Sequence, residues 1–167
     1  LANAYMRTRQ AHAARVFNYA FTNDTYFYSN SENVALCSDN HTTTSGASTA
    51  AGFDNYVTGS LNAVNVSAAR TQMRGYRGDV ANKISVMPDT LIVPIELADR
   101  ADEITKSVKD PNSANNTYNS QGNGRWTVKE WEYLTDSNNW FMTDQKNAKQ
   151  WLVWFDRIKL EFGKAEE

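Results

Sequence analysis

The sequence predicts an α+β fold, and three stretches predict it. Residues 1–22 carry apolar side chains at helical spacing, with Ala13, Val16, Phe17, Ala20 and Phe21 on one stripe. Residues 83–106, KISVMPDTLIVPIELADRADEITK, read as strand, turn, strand and helix in quick succession. Beyond residue 125, several short runs rich in aromatic and β-branched side chains read as further strands.

The N-terminal helix turns Arg7, Arg9, Gln10 and Arg15 away from its apolar stripe, with Asn18 and His12 only mild interruptions. A basic face toward a polyanion is one reading of the arginines; a solvated or subunit-contacting face is the simpler one. His12 has no second His, Cys or carboxylate at a ligand spacing of three or four residues, so it reads as a solvated helix residue. Residues 23–33 are polar around Tyr26-Phe27-Tyr28, an aromatic group that suits a core or interface better than a stacking platform. Val34-Ala35-Leu36-Cys37 is a short strand candidate, and the Ser/Thr-rich residues 38–49 are a loop by composition. Asp39 and His41 beside many hydroxyls evoke a hydrolase. No G-x-S-x-G elbow accompanies them, and closeness in sequence does not make a triad.

A second helix is expected over 61–74, with Asn62 or Asn65 able to cap it and Gly75 to stop it. Arg70, Arg74 and Arg77 fall near its end, where positive charge complements the helix dipole. Gly75, Gly78 and Asp79 make the turn out of it; a phosphate loop would need a Lys-Ser/Thr pair and glycines that begin a helix. Residues 83–87 then alternate polar and apolar as a half-buried strand does, and Pro88-Asp89 is a turn. Thr90-Leu91-Ile92-Val93 is a run suited to burial on both faces, ended by Pro94, which has no N–H to give a ladder. From Glu96 to Lys106 the apolar Leu97, Ala101 and Ile104 recur at helical spacing, with acids early and a lysine late.

Residues 110–124, DPNSANNTYNSQGNG, are an exposed loop by composition. Residues 125–131 alternate, which puts Trp126 and Val128 on one face and Arg125, Thr127 and Lys129 on the other. A turn at 134–139 leads to strands beginning at Trp140 and covering 151–155 and 158–162. All five tryptophans fall after residue 125, so a sugar-binding aromatic face competes with a sheet core or subunit interface.

At 167 residues, the chain is long enough to bury a core as one domain or a little more. A hydrophobic share of 41% argues for folding, and a mean hydropathy of −0.63 for extensive polar loops. No apolar run approaches the roughly 20 residues of a membrane span, so no membrane is expected among its partners. A net charge of −2 and a pI of about 5.7 offer no overall field to hold nucleic acid. The single Cys37 cannot form an internal disulfide and fits a reducing compartment or an assembly site with little use for bridges. Sequons at Asn23, Asn40, Asn65 and Asn115 are what an Asn-rich chain produces by chance. Because Leu1 starts inside a helical pattern, a fragment or processed product is expected. No catalytic, cofactor-binding or metal-ligating constellation emerges, so the expectation is a non-enzymatic protein with no cofactor.

Five segments in order carry a resemblance. They are Val16-Phe17-Asn18-Tyr19-Ala20-Phe21, then Leu36-Cys37-Ser38-Asp39-Asn40-His41 before the Ser/Thr/Gly loop, and the helix end from Arg70 to Met73. Pro88-Asp89-Thr90-Leu91-Ile92-Val93-Pro94 leading into Leu97 and Ala101 comes next, and Leu134-Thr135-Asp136 before Trp140-Phe141 is last. Together they resemble the major capsid protein of tailed bacteriophages, closest to the Mu-like major head subunit. The resemblance implies the Hong Kong 97 shell fold: a long spine helix in a peripheral domain and a mixed sheet with helices in an axial domain. Carried onto this chain, residues 1–55 are peripheral, with 1–21 the C-terminal part of the spine helix. Residues 56–149 are axial, and 150–167 return as strands to the peripheral domain. It further implies hexamers and pentamers of identical copies in an icosahedral shell around phage DNA, assembled in the host bacterial cytoplasm. Scaffold, portal or decoration proteins are the implied partners. The alternatives are a carbohydrate-binding β-module using exposed tryptophans, or an encapsulin-like shell that encloses proteins.

Overall fold

A computed structural model describes residues 2–24, 33–41, 54–78, 82–110, 113–115 and 117–155. Among the described residues, four α-helices and three strands make a mixed α+β fold: α1 (Ala2–Asn18), α2 (Ala63–Arg74), β1 (Thr90–Val93), α3 (Ala98–Lys106), β2 (Thr127–Glu130), β3 (Phe141–Thr143) and α4 (Gln145–Trp151). The strand order is β2-β1-β3, with β1 parallel to β2 and antiparallel to β3.

The apolar run at 90–93 takes the central place because it can be buried on both sides. Leu91 and Val93 are fully buried, Thr90 is buried, and Ile92 is half-buried. Pro94 ends the strand and opens a 3₁₀ turn, Ile95–Leu97, that leads into α3. The helix expected from Glu96 to Lys106 is therefore present with a tighter first turn. Its apolar stripe also holds: Ala101 and Ile104 are fully buried, and Leu97 packs at the edge of the core. α3 lies against β1 and β2 and joins Leu61 and Val66 of the α2 region and Trp126 around Leu91 and Val93. Trp126 is buried while Thr127 and Lys129 are exposed, as the alternation at 125–131 predicts.

Several expectations are corrected. The strand at 83–87 shrinks to a single bridge, Arg77 to Lys83, and Ile84 and Met87 are exposed. β1 already has a neighbour on each edge, so these residues have no free ladder to join. Pro88-Asp89 is not a turn. The Asp89 N–H donates to Thr143 O at 3.1 Å and its carbonyl accepts from Thr127 N at 2.7 Å, so the residue extends both ladders of β1. α1 ends at Asn18, four residues early, because the Asn18 amide donates to Tyr133 O and accepts from Thr135 N, each at 3.0 Å. Residues 34–37 are not a strand; Cys37 N–H instead donates to Ala20 O at 2.7 Å.

Residues 151–155 are not a strand either. Asp144 caps α4 by accepting from Asn147 N at 3.1 Å, the helix runs through Trp151, and 152–155 follow without regular structure. The expected exposed loop at 110–124 contains two buried polar residues, Asn119 and Gln121. α2 begins at Ala63, two residues later than expected, because Asn62 caps it, its Oδ1 accepting from Asn65 N at 2.8 Å. Gly75 stops it in a right-handed conformation, φ −88°, with no left-handed residue needed. The expectations for Tyr26-Phe27-Tyr28, the 42–49 loop, Asp79 and the 158–162 strand lie outside the described residues.

Candidate assembly surface

One face of the sheet is finished by aromatic side chains. Phe17 meets Trp131 edge-on at 5.7 Å and Phe141 at 5.1 Å, while Phe21 stacks on Phe141 at 5.7 Å and tilts against Tyr56 at 5.4 Å. These offset and edge-to-face arrangements suit the ring quadrupoles and tie the end of α1 to β3. The packing is incomplete. Between α1, α2 and β3 runs an apolar groove of about 330 Å³, lined by Phe21, Leu36, Cys37, Met73, Phe141 and Trp151 among others. Burial in its wall pushes the Cys37 thiol up to about 11 and leaves little thiolate at neutral pH. Burial, then the neighbouring charges of Cys37 and Asp54, push Tyr76 up to about 12. Asp54 Oδ1 is itself buried without a hydrogen-bond partner.

The groove opens onto an apolar rim. Trp151 is 83% exposed and Phe155 84%. Trp154 folds back on α1, where Arg9 lies over its ring at 5.1 Å and His12 meets it edge-on at 5.6 Å. The sequence reading missed this rim by taking 151–155 for a strand. The available signal was five apolar residues without alternation, following an Asp144 cap and a polar helical stretch.

The structure does not gather the other singled-out residues into one site. His41 Nε2 lies 3.2 Å from Leu36 O, while Asp39 accepts from Asn40 Nδ2 at 2.8 Å. Arg15 pairs with Asp24 through two contacts of 2.9 and 3.0 Å and covers Tyr19 at 4.9 Å, so it and Arg9 are engaged within the chain. Arg70 is crowded instead: burial, then the like charges of Arg125 and Arg74, lower its affinity for a proton. Among the described residues, no three His, Cys, Asp or Glu side chains come together as metal ligands. No described helix is long and apolar enough to cross a membrane. The tryptophans do not form a single platform, since Trp126 is buried on Gln121, Trp140 donates to Gly59 O at 3.0 Å and Trp154 is partly covered.

The described residues do offer a packed sheet, an apolar groove and an exposed apolar rim, and contiguous exposed apolar surface of this kind marks interaction sites. The chain belongs to the phage capsid protein family, whose match covers residues 1–165, and is a structural capsid protein and thus part of a virion. Neither the curated proteins nor the solved structures gave a match. The family favours neither the carbohydrate-binding module nor the protein compartment.

Proposed function

We propose that this chain is the major head subunit of a tailed bacteriophage, of the Mu-like type, and that it tiles an icosahedral shell around packaged DNA. The observation that carries the reading is the family match along residues 1–165. The α+β architecture supports a Hong Kong 97-type shell fold, in which α1 is the end of the spine helix and the β1–α3 unit belongs to the axial domain. The corresponding division is 1–55 peripheral, 56–149 axial and 150–167 returning to the periphery. In this reading the mechanism is repetition. Modest interfaces between identical copies, in hexamers and pentamers, are multiplied by symmetry into a stable shell. Packaged DNA is held without sequence preference, and scaffold, portal or decoration proteins complete the head. Assembly takes place in the host bacterial cytoplasm.

Electron microscopy of the expressed gene product that carries this chain tests the proposal. Closed shells with five-fold vertices are expected, together with a large species on size exclusion. A product that stays monomeric at every protein concentration and ionic strength overturns it.

A further inference from the structure

We infer that the apolar ridge at residues 151–155 is a contact between subunits and that a second copy of this chain covers it; the inference rests on the shell-subunit reading above. Trp151, Leu152, Val153, Trp154 and Phe155 are 83%, 52%, 49%, 40% and 84% exposed. Scattered apolar residues on a surface are ordinary, whereas an unbroken run marks a place where something else binds. One residue of the ridge is also held in place. Trp154 packs on Arg9 and His12 of α1, so docking does not have to order that ring.

The occupant follows from shape, area and charge. Trp151 and Leu152 border the groove that Phe21, Leu36 and Val57 also line, and those three are each more than a third exposed. An exposed apolar ridge and an apolar groove thus form one continuous surface on one chain, which two symmetry-related copies can bury against each other. An aromatic side chain buries on the order of 150–250 Å². Ridge and exposed groove lining together therefore approach the roughly 800 Å² per partner of a stable interface. None of the five ridge residues is charged, so nothing in the run itself attracts a phosphate backbone.

Sedimentation of the full chain over a range of concentrations tests this, with the wild type beside two double variants of unchanged circular dichroism. One is Trp151→Ser with Phe155→Ser; the control, Val108→Ser with Tyr118→Ser, removes exposed apolar surface elsewhere. Wild type and control are expected to associate alike, and the ridge variant to need at least about tenfold more protein, as for loss of an interface hot spot. The emission of Trp151, taken as the difference between wild type and Trp151→Phe, is expected to shift blue on association. A ridge variant that associates like wild type overturns the inference; shells still seen by microscopy would leave the shell-subunit reading standing. Trp151 emission already blue and indifferent to dilution also overturns it, since the ridge is then covered within one chain. A wild type that never associates overturns both.

Discussion

The sheet region and the rim at 151–155 are both built from apolar residues and bury them to opposite extents. Leu91, Val93 and Ile104 are fully buried beside β1, while Trp151 and Phe155 keep more than four-fifths of their surface. The first region is closed on itself: every edge of β1 is paired and α3 covers its face. The second has a groove on one side and a bare ridge on the other. The lesson is that apolar content does not say where a core lies. A core forms where backbone groups are also satisfied, and an apolar surface whose neighbours offer no closure is left for a partner.

If that contrast is right, damage to the closed region costs the fold most. Ile104→Ala removes a fully buried side chain next to Leu91 and Trp126 and is expected to destabilise by roughly 2–5 kcal/mol, measured by urea unfolding. A loss below about 1 kcal/mol would mean that α3 does not seal the sheet. Next comes the polar anchor beneath α3. Asn119 is buried; its amide donates to Ile104 O at 2.7 Å and Ser107 O at 3.0 Å and accepts from Gln121 N at 3.0 Å. It thereby satisfies carbonyls at the end of α3 that the helix leaves open. Asn119→Ala strands those groups and is expected to cost about 1–3 kcal/mol. Gly122 belongs to the same anchor, because a Cβ there would collide with Ser107 O.

A smaller effect is expected at Asp144, which joins the sheet to the rim. Burial alone would raise its carboxyl. Hydrogen bonds from the Met87, Asn147 and Lys146 N–H groups, with the Lys146 charge, hold it below the usual range. Its contribution is therefore present above the unfolded value near 4 and is lost as pH falls through the lower folded value. Asp144→Ala is expected to cost about 1 kcal/mol at neutral pH, as for other caps. The variant should then lose less stability than wild type on acidification below about pH 4. Parallel acid-unfolding curves would remove the cap from the argument. At the alkaline end the groove responds. Cys37 and Tyr76 are neutral in the fold, with values raised to about 11 and about 12, so their contribution holds below pH 9 and fades between pH 9 and 12. Tyr76→Phe is expected to flatten that decline in a thermal-melt series.

The residues that were legible before the structure are those whose environment is local. The 90–93 strand, its stop at Pro94 and the α3 stripe follow from composition within a dozen residues, and Asn62 shows its capping role by type and position. What escaped was set by distant partners. Residues 83–87 alternate well, but β3, more than fifty residues later, occupies the edge they would have paired with. Asn119 looked like one more polar loop residue because Ile104 and Ser107, whose carbonyls it binds, are fifteen and twelve positions away. The rim was misread for a different reason. Its aromatic residues have strand propensity, and propensity yields to the cap at Asp144 and to the absence of a ladder.

The smallest expected change is at the ridge itself, and it separates the two regions most directly. Phe155→Ser deletes a large apolar side chain, yet the ring is 84% exposed and buries little area when the chain is alone. Its removal is expected to shift the unfolding free energy of the dilute chain by no more than about 0.5 kcal/mol, in either direction. Ile104→Ala removes a side chain of similar apolar character and is expected to cost several times more, because transfer and cavity terms both apply there. Urea unfolding at a concentration where the wild type is monomeric makes the comparison. A loss above about 1.5 kcal/mol for Phe155→Ser would place the ring inside a core of its own chain and make the rim a second closed region.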